Sequence, residues 1–384
     1  MAIDLNKMQN YPQLLKQMNE FRDRAADYRP FKGTMNEVME KLHPRKLRLK
    51  VMDIIQETKS TKTFRLAAPD RDLPPFLPGQ YITVYVEANN IRTARAYSLS
   101  SAPAASGHYD ITIRRVEGGL VSNFMLEQVK AGDTVETSSP SGNFYQNYIV
   151  HDSSVVFLAG GSGITPFMSM IRQETAKPTG KTMYLLYGNH SAADMIFNDE
   201  LTGLARGNPH FKYIPVIEKP GTGFTGKTGY LSAELVKESI GDTKGKTFFL
   251  CGPGAMYDFC IPELDRLGVP RRKTRREVFG AMPDISRHHD WPRDVKPTAE
   301  FSIRIKNGNV IKAKAGDSLI TTFEKNGLTV PSLCRSGECS LCRIRLLSGK
   351  VFQPRESLVR YSDQRSGNIH SCMSYPLMDL EIMI

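Results

Sequence analysis

The chain is poor in the features that mark membrane or secreted proteins. No stretch approaches about eighteen consecutive apolar residues, the length that reads as a membrane-spanning helix. The opening Met1-Ala-Ile-Asp-Leu-Asn-Lys-Met lacks the basic, apolar, small-residue order of a secretory signal, so the cytoplasm is the expected location. There are only six cysteines, and four of them, Cys334, Cys339, Cys342 and Cys372, fall in the last quarter. Without a leader, such a cluster reads as a metal site before it reads as disulfides. Acidic residues are outnumbered, 40 Asp and Glu against 51 Lys and Arg, for a net charge of +11. The basic residues are nevertheless spread along the chain. The one dense run, Arg271-Arg272-Lys273-Thr274-Arg275-Arg276, carries no interleaved aromatic residues. It is expected as a solvated face or a docking patch for an acidic partner, not as a nucleic-acid site.

What is there describes an ordinary globular protein. The 384 residues are 40% hydrophobic and 24% charged, long enough for two or three domains. Residues 1–46 show helical periodicity. Leu14, Leu15, Met18, Phe21 and Ala25 share one face after Tyr11-Pro12, and a second helix is expected around Met35–Leu42, ending before Pro44. From 47 to about 150 the texture becomes short β-runs: Leu47–Val51, Thr63–Leu66, Tyr81–Val86 and Tyr109–Val116, with one helix near Ser122–Val129. This predicts a small antiparallel β-barrel. From 151 to 280 strand and helix alternate: Val155–Ala159, Pro166–Glu174, Met183–Tyr187, Tyr213–Ile217 and Thr247–Leu250. That pattern predicts an α/β domain with a parallel sheet. Residues 281–297 read as a linker. Residues 298–384 open with a hairpin at Asn307-Gly308, followed by a helix at Ser318–Lys325 and the cysteine loop.

The cysteine spacing is Cys334-x4-Cys339-x2-Cys342, then twenty-nine residues to Cys372. This is the spacing of a plant-type [2Fe–2S] cluster, with Ser336-Gly337-Glu338 as a turn that lets backbone N–H groups face the sulfurs. A structural zinc site, the rival, more often uses pairs spaced C-x2-C. In the barrel region, Arg95-Ala96-Tyr97-Ser98 ends a strand: an Arg for a diphosphate, a Tyr for a flat ring, a Ser for a ring nitrogen or carbonyl. Gly118-Gly119-Leu120-Val121-Ser122 then opens a helix, whose N-terminus favours phosphate. In the α/β region Gly160-Gly161-Ser162-Gly163-Ile164-Thr165-Pro166 joins strand to helix, and Cys251-Gly252-Pro253-Gly254 does the same later. Neither is the G-x-G-x-x-G fingerprint. Cys251 by itself reads equally as a small buried hydrophobe. The run His288-His289-Asp290 could bind a metal but reads first as a solvated linker.

In this order the motifs resemble the ferredoxin–NADP reductase superfamily with a fused C-terminal plant-type ferredoxin. The resemblance spans about residues 47–280 and 298–384, and reductase components of oxygenases and of hybrid cluster proteins share it. It implies a multidomain chain: a flavin β-barrel, an α/β nucleotide domain and an α+β β-grasp ferredoxin domain, with a short helical extension ahead of them. It also implies that Arg95, Tyr97 and Ser98 hold the flavin. Gly119, Val121 and Ser122 would form the pyrophosphate turn of the FAD-using branch, favouring FAD over FMN. Gly161, Gly163 and Thr165 would contact the nicotinamide nucleotide, with Cys251, Gly252 and Pro253 near the nicotinamide. Glu277 to Gly280, including Phe279, would close over the flavin. Ser98, Cys251 and Glu277 would lie nearest the hydride path. Cys334, Cys339, Cys342 and Cys372 would ligate the cluster.

Two departures stand out. Residues 1–46 have no counterpart in the family pattern, and His190 occupies a place where many relatives carry Arg. The missing Arg tilts the expectation toward NADH over NADPH. The expected route runs from NAD(P)H through FAD and the cluster, at about −400 mV, to a partner redox protein such as an oxygenase or other metalloenzyme. The rivals are a reductase of a small-molecule acceptor and a redox-sensing or scaffold subunit. Residues 1–46 are too few to hold a haem.

Overall fold

The computed structural model describes residues 10–24, 33–88, 90–105, 107–221, 224, 226–280, 284–355 and 357–384. They divide into two compact units, Met1–Arg45 and Lys46–Ile384. The first holds α1 (Tyr11–Arg24) and α2 (Thr34–Leu42), the latter entered through Gly33 at φ 98°. Both helices form where the periodicity places them. On the apolar face expected for α1, however, Leu14, Leu15 and Met18 are exposed. The Phe21 side chain and Ala25 lie outside the described residues.

The second unit begins with six antiparallel strands: β1 (Leu47–Thr58), β2 (Thr61–Ala67), β3 (Tyr81–Ala88), β4 (Ile91–Ser98), β5 (Tyr109–Arg114) and β6 (Thr134–Thr137). They are ordered β4-β3-β6-β1-β2-β5. A bridge between Leu99 and Ile111, and a 2.8 Å bond from Ser100 N–H to Asp110 O, join the two edges into a barrel. Alternate residues point inward. Leu49, Val51, Phe64, Leu66, Ile82, Val84, Ile111 and Ile113 fill the interior, stoppered by Met125 of α3 (Leu120–Glu127). Each such side chain contributes about 1.5–3 kcal/mol.

The α/β region contains β7 (Ser154–Gly160), α4 (Ile164–Ala176), β8 (Thr182–Asn189), α5 (Asn198–Gly207), β9 (Phe211–Ile217), β10 (Lys227–Thr228), α6 (Ala233–Ile240), β11 (Lys246–Cys251), α7 (Gly254–Arg266) and β12 (Thr274–Glu277). Its parallel sheet runs β10-β9-β8-β7-β11-β12. The central strand β7 is a continuous apolar run because both its faces are covered. Val155, Phe157 and Ala159 enter one core, Val156 and Leu158 the other. The basic run expected to be a solvated face is a short 3-10 turn leading into β12 at the sheet edge, with Arg271, Arg272 and Arg276 exposed. Two of its charges are ion-paired, Arg271 with Asp265 and Lys273 with Asp152 at 2.8 Å, and Arg275 Nε donates to His151 Nε2 at 3.3 Å.

The last region holds β13 (Glu300–Ile305), β14 (Val310–Lys314), α8 (Leu319–Lys325), β15 (Arg343–Ser348), β16 (Val351–Phe352), α9 (Tyr361–Arg365), β17 (Asn368–His370), β18 (Tyr375–Pro376) and β19 (Leu380–Met383). The mixed sheet β14-β13-β19-β15-β17 grips α8 through Leu319, Ile320 and Phe323, giving the β-grasp arrangement. Asn307, at φ 60°, turns the β13–β14 hairpin. Of residues 284–297, read as a linker from sequence, Ile285, His288 and Trp291 are packed down while Arg287, His289, Arg293 and Asp294 stay exposed. Ile285 and Trp291 are buried in a cluster with Ala315, Phe352 and Tyr375, the Trp291 ring meeting Phe352 edge-on at 5.2 Å. Residues 281–283 of that stretch lie outside the described residues. Among the described residues, no helix is long and apolar enough to cross a membrane.

Candidate functional site

Three of the clustered cysteines sit in the loop between α8 and β15, and Cys372 follows β17. The loop wraps tightly because Arg335, Gly337 and Ser340 all take positive φ, at 55°, 82° and 57°. Only glycine fits at 337, where a Cβ would lie 2.9 Å from Ser357 Oγ and 3.0 Å from Met373 Cγ. The turn aims backbone donors at sulfur: Ser336 and Cys339 N–H each donate to Cys334 Sγ at 3.4 Å. A hydrogen bond from the Cys339 thiol, with these amides, brings Cys334 down to about 4. Cys342 is brought down to about 7, chiefly by the Cys372 thiol, whose Sγ lies 3.3 Å away. The four sulfurs thus form two pairs, Cys334 with Cys339 and Cys342 with Cys372.

The pairing decides which metal group the site fits. A tetrahedral zinc with Zn–S near 2.3 Å would gather all four sulfurs within about 3.8 Å of one another. Among the described residues, only His288, His289 and Asp290 bring three ligand atoms within 4.8 Å. No three of these thiols therefore surround one point. Two thiol pairs match two irons, one pair on each, as a [2Fe–2S] cluster requires. The His288 group is already engaged, within itself and with Arg355. Asp290 pairs with Arg355 at 2.9 Å and His289 at 3.3 Å, and His288 Nδ1 accepts the Asp290 N–H. All six cysteines are free thiols; Cys260 is buried away from the cluster, its thiol directed at Leu231 O.

On the barrel, β4 carries Arg95, Tyr97 and Ser98. Arg95 donates to Thr93 Oγ1 at 2.8 Å and Ala94 O at 2.7 Å. Burial, and then the facing charge of Arg335, push its guanidinium down to about 10. Arg335 is itself buried, is ion-paired to Glu324, and keeps its Nε without a hydrogen-bond partner. A second cation whose charge reaches Arg95, with a donor to spare, suits an anion such as a diphosphate. Gly118, at φ 65°, leads into α3, whose N-cap Gly119 makes no side-chain cap. Ser122 Oγ turns back to accept the Val116 N–H at 3.3 Å, and a Cβ on Gly119 would strike it at 2.6 Å. Val121 points into the barrel core, which leaves only its backbone to face a ligand. These features fit a flavin dinucleotide.

The nucleotide side is built from strand ends. Ala159, Cys251 and Glu277 are register neighbours across β7, β11 and β12. The turn after β7 presses against the end of β11: a Cβ on Gly163 would lie 2.1 Å from Cys251 O, and one on Gly160 2.9 Å from Pro253 Cδ. Gly161 takes φ 53°, and its carbonyl accepts the Tyr187 hydroxyl at 2.9 Å. Thr165 Oγ1 is spent locally on Ser162 O at 2.8 Å. Gly252 N–H donates to Tyr257 OH, which in turn donates to Glu277 O.

Glu277 is 6% exposed, and its Oε2 lies 3.5 Å from Ser98 Oγ. Burial, and then the charge of Glu338, push its carboxyl well above the ordinary range. Burial, and then Glu277, likewise raise the Cys251 thiol, so no thiolate forms there near neutrality. Ser98, Cys251 and Glu277 therefore meet, while Phe279 stands 39% exposed beyond them. The cluster loop closes over the same place. Thr83 Oγ1 donates to Leu333 O at 3.2 Å, and Tyr81 is pushed up by burial and then by Cys334. Helix α4 ties in as well, Ser169 Oγ donating to Ser101 O at 2.7 Å and Arg172 Nη1 to Ser100 O at 2.8 Å.

Several groups escaped sequence reasoning. Arg335 and Glu324 carry no motif that pairs them. Glu218, at the end of β9, accepts from Tyr230 OH and lies against His190 Nδ1, each at 3.1 Å. Its position one strand beyond His190 was the available signal.

Residues 48–145 match the oxidoreductase FAD-binding domain, residues 157–261 the oxidoreductase NAD-binding domain, and residues 304–377 the 2Fe-2S iron-sulfur cluster binding domain. The glycine betaine monooxygenase reductase subunit of Pseudomonas aeruginosa is 28% identical over 348 residues, 87% of this chain and 94% of that one. The ferredoxin reductase component of 3-ketosteroid-9-alpha-monooxygenase from Rhodococcus rhodochrous is 28% identical over 342 residues, covering 86% and 94%. The crystal structure of phthalate dioxygenase reductase, described as modular for electron transfer from pyridine nucleotides to [2Fe-2S], is 26% identical. It superimposes with a TM-score of 0.65 over 88% of this chain and 98% of that one. With the paired thiols, the barrel and the parallel sheet in the same order, this chain belongs to the ferredoxin–NADP reductase family as a flavoprotein with a C-terminal [2Fe–2S] domain, an NAD(P)H-dependent electron-transfer oxidoreductase.

Proposed function

We propose that this chain is the cytoplasmic reductase component of an oxygenase or comparable metalloenzyme, drawing on NADH. The supporting observation is the meeting of Ser98 and Glu277 beside Cys251, directly beneath the cluster loop. Bound FAD would accept hydride and release electrons singly to the cluster. The chain's own residues prepare the ground for that chemistry. Ser98 Oγ offers a hydrogen bond at the flavin edge. Burial favours the protonated form of the Glu277 carboxyl and so disfavours a negative charge in the hydride path. Cys251 presents a small neutral surface against the nicotinamide. Gly161, Gly163, Gly252 and Pro253 let backbone approach the nucleotide, and the Arg95 guanidinium neutralises phosphate charge. At the far end of the sheet Glu218, held below the ordinary carboxylate range by His190 and Tyr230, would repel a 2′-phosphate and suit the free hydroxyls of NADH.

Steady-state NADH oxidation tests the acceptor. The reading expects slow turnover with oxygen or a quinone alone and fast turnover with a one-electron protein acceptor such as cytochrome c. The fast rate should be lost in Cys342→Ser. Rapid oxygen or quinone reduction that survives Cys342→Ser would instead make this a reductase of small molecules.

A further inference from the structure

The residue that follows the first cluster ligand is turned away from solvent. Arg335 takes φ 55° and turns inward, 6% exposed, to pair with Glu324 on α8. Helix α8 packs against β4, and on that strand burial, and then the charge of Arg335, depress the Arg95 guanidinium. Arg335 lies by the seam between the two domains, where Thr83 Oγ1 donates to Leu333 O two residues before it. Two like charges held together in a partly buried place oppose each other unless an anion lies between them. Glu324 offsets only one of them. The Nε of Arg335 is buried without a partner, and a buried unpaired donor is costly to keep. A fork of N–H donors beside a second guanidinium is the arrangement that grips phosphate oxygens.

We propose that Arg335 belongs to the flavin site: the ferredoxin domain supplies a second cation for the flavin's diphosphate, so that flavin binding and docking of the cluster domain reinforce each other. The inference rests on the reading of Arg95 as the diphosphate ligand. Anything that binds only the docked arrangement stabilises it by mass action. Loaded FAD would therefore hold the cluster loop against the barrel, and loss of FAD would loosen it. Arg335 acts on binding and positioning and takes no part in the chemistry.

The test measures FAD dissociation constants of the deflavinated full-length protein by quenching of flavin fluorescence, in parallel with riboflavin, which has no phosphate. Arg335→Gln should weaken FAD at least tenfold and leave riboflavin unchanged, with iron content and the reduced-cluster EPR signal retained. Glu324→Gln breaks the same ion pair but leaves the cation in place, and should not weaken FAD. An unchanged FAD constant in Arg335→Gln overturns the proposal. So does equal weakening in Arg335→Gln and Glu324→Gln, or equal loss of FAD and riboflavin, since each would reduce Arg335 to a prop for the cluster loop. Should Arg335→Gln not fold, Arg335→Lys decides. It keeps the charge and loses the fork, and a three- to tenfold loss confined to FAD supports the proposal while no loss overturns it. Arg95→Gln separates the two layers. If it fails to weaken FAD, the assignment of Arg95 falls; if it weakens FAD while Arg335→Gln does not, only the present inference falls.

Discussion

Gly163→Ala is the smallest change that should disable the nucleotide side. At this position φ is −63°, which any residue can adopt, so the requirement for glycine is purely steric. The new Cβ would lie 2.1 Å from Cys251 O, 2.4 Å from Cys251 C and 2.7 Å from Gly252 N. Ordinary contact begins near 3.4 Å, so the turn and the end of β11 must part by about 1.3 Å. Both sides of the clash are backbone, and no side-chain rotation relieves it. Overpacking of this kind costs about 1–3 kcal/mol. The catalytic cost should exceed the stability cost, because β11 carries Cys251 next to Glu277. A misplacement near 1 Å can cost about 100-fold in rate. Anaerobic stopped-flow reduction of the flavin at saturating NADH should therefore fall by about 10- to 100-fold, with the EPR signal of the cluster intact. Gly203→Ala, in α5 with nothing within 4 Å of the added Cβ, is the control and should stabilise by about 0.5–1 kcal/mol. A Gly163→Ala enzyme that reduces its flavin at the wild-type rate would refute this reasoning.

Two further outcomes follow from the charged groups. The folded-state pKa of Glu277 is raised, so the folded protein holds a proton there that the unfolded chain releases above about 4.3. Wild-type stability is accordingly lost as pH rises through the window between that value and the raised one. Glu277→Gln abolishes this loss, gaining on wild type by about 1.4 kcal/mol for each tenfold difference in proton affinity. Urea midpoints at pH 5, 7 and 9 would show the two proteins diverging with pH, and parallel curves would contradict the burial argument. Glu218→Gln, which removes the carboxylate that Tyr230 and His190 hold, should raise kcat/KM for NADPH by about tenfold and change that for NADH by less than threefold, read from initial rates. An unchanged ratio of the two coenzymes would remove Glu218 from the specificity argument.

The parts of this protein visible in the sequence are those whose constraint is local. The Cys334-x4-Cys339-x2-Cys342 loop is set by the number of residues that can wrap two irons, and the strand and helix runs by periods of two and 3.6. The convergence of Ser98 with Glu277 is not local: 179 residues separate them, and only the resemblance to a family placed both near the hydride path. The pairing of Arg335 with Glu324 and its confrontation with Arg95 join three elements of two domains, and no spacing rule reports on them. The basic run at 271–276 is exposed at Arg271, Arg272 and Arg276, as expected, but charge composition says nothing of the partners Asp152, Asp265 and His151. The stretch read as a linker is the one that misleads. Its Pro, Asp and His content reads as solvated, while Ile285 and Trp291, two apolar residues among many polar ones, anchor it in a core. Gly163 is expected from sequence as a contact of the nicotinamide nucleotide, and the structure adds a separate cause for glycine, the backbone of β11.

The central claim is that hydride entering beside Glu277 leaves as single electrons through the paired thiols of Cys334, Cys339, Cys342 and Cys372. An anaerobic titration of the purified holoprotein with NADH, followed by visible absorption and by EPR of frozen samples, tests it most directly. The account predicts that flavin and iron–sulfur bands bleach together and that a reduced [2Fe–2S] signal grows with the added NADH. Bleaching of the flavin with no iron–sulfur band and no EPR signal, in protein kept anaerobic from purification onward, would contradict it.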